Sequence, residues 1–141
     1  MFSGEFSHSI DEKGRITMPA KFRKDLGEEC VVARGFEGCL NVYSMEEWEK
    51  VAGALAASNQ YSQEIRLMQR AVIATAMVCT YDKQGRILIS SELRKRGKLD
   101  KDVMVVGVGT RIELWDKDAW DAFNEISDDD LSALAAKIMV G

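Results

Sequence analysis

The chain has 141 residues, 46% hydrophobic and 30% charged, with a net charge of -4, which suits one ordinary domain with a real apolar core. No stretch approaches the ~20 apolar residues of a membrane span, and Met1-Phe-Ser-Gly-Glu5 lacks the basic-then-apolar order of a signal peptide. Cys30, Cys39 and Cys79 are odd in number and have no metal-ligand spacing, which predicts small buried thiols in a cytosolic protein.

The first predicted element is a strand in which Phe6, His8 and Ile10 alternate with Glu5, Ser7 and Ser9. Gly14 supplies the positive φ of a tight hairpin turn, and Ile16 and Met18 resume the apolar face beyond it. Pro19 fits the first position of a short helix that stops at Gly27. Strands follow at Cys30 to Ala33 and Leu40 to Tyr43, separated by glycines. Ser44-Met-Glu-Glu47 then caps a helix with Trp48, Val51, Ala52 and Leu55 on one stripe. The small, polar stretch from Ala56 to Tyr61 links this half to a helix capped by Ser62, with Ile65, Met68 and Val72 as its stripe.

From there the elements repeat. Asp11-Glu-Lys-Gly-Arg15-Ile16 returns as Asp82-Lys-Gln-Gly-Arg86-Ile87, and Leu40-Asn-Val-Tyr43 as Ile112-Glu-Leu-Trp115. Met77, Cys79 and Tyr81 stand where Phe6, His8 and Ile10 stood, and Ile87 and Ile89 where Ile16 and Met18 stood. Ser90 or Ser91 caps the second short helix. Strands at Val103 to Val106 and Arg111 to Trp115 lead to a helix beginning at Asp116, with Trp120 and Phe123 on its inner face. A last helix should start at Ser127 and bury Leu131, Leu134 and Ile138. Two copies are too few for a solenoid and suit one domain of two related lobes, interlocked or side by side.

Charge follows the repeat. Lys13 to Lys24 holds five basic residues and no acid, and Lys83 to Lys98 holds six against Glu92 alone. Glu113 to Asp130 carries eight acids against Lys117. Local fields of this kind attract a polyanion whatever the total charge. Arg15 and Arg86 follow the glycine turns, on the face opposite the buried isoleucine. Two readings fit them: a fork onto a guanine edge or phosphate, or an ion pair with Asp11 or Asp82 that braces the turn. Asp11 and Asp82 suit turn acceptors. Lys21, Arg23, Lys24, Arg94, Lys95 and Arg96 are either phosphate contacts or a solvated helix face. His8 aligns with Cys79, which favours a semi-polar core position over catalysis. Val106-Gly-Val-Gly109 joins strands and lacks the strand-to-helix setting of a nucleotide-binding turn.

The Asp-x-Lys-Gly-Arg and Asp-x-x-Gly-Arg pair, the repeat and Glu113-Leu-Trp-Asp116 resemble the MraZ proteins of bacteria, within the wider AbrB/SpoVT-like DNA-binding folds. The resemblance runs from Met1 to about Asn124. It implies an α+β fold of two β-hairpin-rich AbrB/SpoVT-like lobes with flanking helices in one duplicated domain. The expected division is residues 1–57 (repeat 1), 58–75 (linker helix), 76–126 (repeat 2) and 127–141 (C-terminal helix). It further implies a sequence-specific regulator of the division and cell-wall gene cluster that binds double-stranded DNA at promoter repeats. Ring-like homo-oligomers, cytoplasmic and nucleoid-associated, are expected, with no membrane, catalysis, metal or cofactor. Arg15 and Arg86 would be the main DNA contacts, supported by Lys13 and Lys83. Gln84 replaces Lys13 and Ser90 replaces Pro19 in copy two, so the two turns are expected to be unequal. The alternative is an oligomeric scaffold or inhibitory module whose basic turns meet a protein.

Overall fold

Alternation from Phe2 onward builds β1 (Phe2–Ser9), which ends where Asp11 opens a tight turn. The computed structural model describes residues 1–140. After the turn come β2 (Arg15–Thr17), α1 (Ala20–Leu26), β3 (Glu29–Arg34), β4 (Leu40–Ser44) and α2 (Met45–Ala56). α3 (Gln63–Met68) widens into a π-helical turn over Gln69–Ile73 and leads into copy two. There β5 (Met77–Thr80), β6 (Arg86–Leu88), α4 (Ser91–Gly97), β7 (Asp102–Gly109), β8 (Arg111–Asp116) and α5 (Lys117–Phe123) follow in the same order, before α6 (Asp128–Val140). Among the described residues no helix is long and apolar enough to cross a membrane.

The lobes are interlocked. Six antiparallel strands form one sheet in the order β1-β7-β8-β4-β3-β5, so the first strand of each copy pairs with the other copy. β2 and β6 form a separate two-stranded ribbon. Repeat equivalents meet at two places: Ile16 opposite Ile87 in the ribbon, and Asn41 opposite Glu113 in the sheet. These two pairs mark a pseudo-two-fold relation between the copies. The expected hairpin ladder between the first two strands of each copy is therefore corrected. In copy one it shrinks to a single bridge, Ile10 to Ile16, because β2 leaves the sheet to pair with β6 while β1 stays at its edge on β7.

The same exchange extends β7 past its expected end at Val106. The glycines thought to separate strands stay within it, because β1 runs alongside as far as Phe2 opposite Gly109. The main core lies between sheet, ribbon and the short helices. Ile16, Met18, Ile87 and Ile89 are fully buried beside Phe22 and Leu93. Phe22 meets Phe2 and Phe6 edge-on, with centroids 5.6 and 5.2 Å away. All three cysteines are buried and free.

Capping is local and follows the sequence. Ser44, Ser62, Ser90 and Asp116 each accept a bond from the backbone N–H three residues on. Ser127 and Asp130 form a reciprocal pair at the start of α6. Pro19 is the N-cap of α1, one position earlier than expected, with its carbonyl accepting from Arg23 N. Two expected burials fail. Leu131, Leu134 and Ile138 are 59%, 48% and 74% exposed, and none of them joins the buried core among the described residues. Phe123 is also exposed, although its ring lies 5.7 Å from Trp115.

Candidate nucleic-acid interface

Both basic turns are built the same way. The Asp11 carboxylate accepts from Lys13 N at 3.0 Å and Arg15 N at 2.8 Å through one oxygen, and from Arg15 Nε at 2.6 Å through the other. Asp82 does the same with Gln84 N, Arg86 N and Arg86 Nε, at 2.9, 2.9 and 2.7 Å. The bracing ion pairs read as an alternative in the sequence are thus present. They do not exclude a DNA role. Each aspartate bonds its own turn's arginine through Nε rather than through an Nη group, so the brace fixes the guanidinium without using both of its Nη donors.

Donation from the Arg15 backbone, with its guanidinium beside it, holds the Asp11 carboxyl below the ordinary value, and Arg86 does this for Asp82. The folded chain therefore binds fewer protons than the unfolded chain at these sites. Their stabilisation is fully present above the unfolded carboxyl value of about 3.9 and is lost as pH falls through the lower folded values. Melting temperature should drop more steeply in acid for the natural chain than for Asp11→Asn/Asp82→Asn, which keeps a side-chain oxygen to accept from the backbone N–H groups without the titration. Parallel curves from neutral pH to below about 4 would show that the turns contribute nothing to acid stability.

The two turns form one surface. Arg15 pairs across the ribbon with Leu88, and Thr17 with Arg86. Ile16 and Ile87 point inward, so Arg15, Thr17, Arg86 and Leu88 share the outer face. Arg86 Nη1 also lies 3.9 Å from Asp11 Oδ2, bringing the second arginine against the first turn. Lys13 and Lys83 sit on the exposed turn tips.

Each turn is clasped by the opposite copy. Gly14 O accepts from Ile89 N at 2.9 Å, and Gly85 O accepts from Met18 N at 3.0 Å. Arg94 lies over Gly14 while donating from Nε to Ile89 O at 3.2 Å. Arg23 lies over Gly85 while donating from Nη1 to Met18 O at 2.5 Å. The glycines have φ of +92° and +76°, and a β-carbon on either would run into the arginine above it. Sequence reasoning placed Arg23 and Arg94 on a solvated or phosphate-facing helix side and missed this clasp. Their equivalence by the repeat was the one available signal. Lys21 is likewise engaged internally, donating to Ser3 O, and Arg96 pairs with Glu92.

Fold and surface together define a duplicated, strand-exchanged α+β protein that presents two basic turns as a single ribbon face. A family model described as "MraZ protein, putative antitoxin-like" matches it twice, over residues 1–71 and 72–139. The chain belongs to the MraZ family. It is 43% identical over 128 residues to the "Transcriptional regulator MraZ" of Caldanaerobacter subterraneus subsp. tengcongensis, covering 91% of this chain and 90% of that one. The protein of that name from Desulforamulus reducens is 42% identical over 139 residues, covering 99% and 98%. That from Heliobacterium modesticaldum is 41% identical over 139 residues, covering 99% and 97%. These relatives are named as regulators of transcription, not as enzymes.

Proposed function

We propose that this chain is a transcriptional regulator that binds double-stranded promoter repeats sequence-specifically, and that it controls the bacterial division and cell-wall gene cluster. Arg15 and Arg86 are the main contacts, with Lys13 and Lys83 beside them. The observation that carries this reading is the ribbon's outer face, on which aspartate-oriented guanidinium groups from both copies stand next to each other. A two-stranded ribbon fits the major groove, whose width is about 12 Å. The protein acts in the cytoplasm, on the nucleoid. It works as an oligomer, ring-like in form, so that tandem promoter repeats meet several ribbons at raised effective concentration. The uncovered apolar face of α6 supports an assembled state.

Salt dependence tests this directly. Log affinity for a repeat-containing duplex should fall with log salt at about -0.9 per phosphate neutralised. Arg15, Arg86, Lys13 and Lys83 would together give a slope of about -2 to -4 per bound subunit, steeper for an oligomer. A random duplex should compete poorly at moderate salt. A flat slope with equal competition would transfer the basic turns to a protein partner, and the scaffold reading would take over.

A further inference from the structure

We propose that Leu88 is a specificity-determining residue that packs on the 5-methyl group of a thymine next to the base pair or phosphate engaged by Arg15. The inference rests on the DNA-binding reading above and adds to it what the ribbon's apolar side chain recognises.

Leu88 sits in β6 directly across from Arg15, and is 54% exposed while its neighbour Ile87 is fully buried. Strand alternation therefore holds it on the outer face. A lone surface leucine needs no explanation in general. This one stands across from Arg15 and two residues along its own strand from Arg86, so an apolar side chain interrupts a charged surface. Its repeat equivalent, Thr17, lies across from Arg86 and also carries a methyl group. Each row of the ribbon thus joins one arginine to one methyl-bearing side chain. In the major groove the thymine methyl is the one apolar feature on the base edges, and guanine is the favoured partner of an arginine fork. Strands lie about 4.8 Å apart and base pairs rise about 3.4 Å, so Leu88 falls within one or two base pairs of the Arg15 contact. Two positive forks hold the ribbon against the polyanion, which favours DNA over a second protein copy as the occupant.

The test uses a duplex obtained by binding-site selection with the full chain, resynthesised with deoxyuridine replacing each thymine in turn. Uracil keeps the pairing edge and removes only the methyl group. At one or more positions this should weaken binding of the natural chain about fourfold, the effect of one buried methyl. Leu88→Ala should bind the parent duplex about fourfold more weakly and be indifferent to uracil at that position. A thermal melt is expected to change little, since more than half of Leu88 is exposed and it lies outside the buried core. Tolerance of uracil everywhere by the natural chain overturns the proposal, as does a full uracil response in Leu88→Ala. A drop in oligomer mass for Leu88→Ala, with its uracil response intact, assigns Leu88 to a contact between copies and overturns it too. Arg15→Ala run alongside separates the two readings. If it binds like the natural chain, the DNA-facing ribbon itself is wrong. If it is weakened while uracil has no effect, only the role of Leu88 falls.

Discussion

Arg15→Ala/Arg86→Ala is expected to lose sequence-specific DNA binding by about thirtyfold or more while remaining folded, since each bidentate contact is worth about 1–3 kcal/mol. The variant should stay folded because both arginines are partly exposed and their internal partners are surface aspartates. Such surface pairs contribute little to stability, and the aspartates keep their backbone donors when the guanidinium goes. Arg15→Ala alone should cost about tenfold or more. Arg86→Ala should cost less, because Gln84 stands where Lys13 supports the first turn. Binding titrations beside thermal melts measure both effects. Unchanged affinity in a folded double variant would remove these arginines from the interface.

Gly14→Ala should be the most destabilising single change in either turn, at about 2–5 kcal/mol. Left-handed backbone costs an alanine about 1–2 kcal/mol and overpacking adds about 1–3. The β-carbon would stand 2.6 Å from both Ile89 O and Arg94 Nε. Ile89 is backbone of the opposite copy and cannot retreat without stretching its own N–H bond to Gly14 O. Gly85→Ala should be milder, because the group above it is the guanidinium end of Arg23, which can swing aside. Denaturant melts of the two variants decide the matter. Equal losses would mean that Arg23 cannot swing aside as proposed, and no loss in either would mean that the clasp leaves room for a β-carbon.

Much of this protein was legible residue by residue. The glycine turns, the serine and aspartate caps, the alternating strands and the outward phase of Arg15 and Arg86 all depend on bonds within about four residues or on strand period. Such interactions form wherever the segment goes, so a linear reading reaches them. The pairing of strands is different. With two similarly patterned copies, β1 can satisfy its apolar face and hydrogen bonds on its own copy or on the other, and nothing local separates the choices. Closure of the whole sheet decides for β7, and the exchange then brings Arg94 over Gly14 and Arg23 over Gly85. The same limit applies to α6. Leu131, Leu134 and Ile138 announce an apolar face by their spacing, yet periodicity states only that a face exists, while what covers it depends on where the chain's other surfaces end up. The sequence alone therefore determined the parts and the family they belong to. Tertiary structure decided that two separate turns become one ribbon, because only long-range pairing can bring segments some seventy residues apart into register.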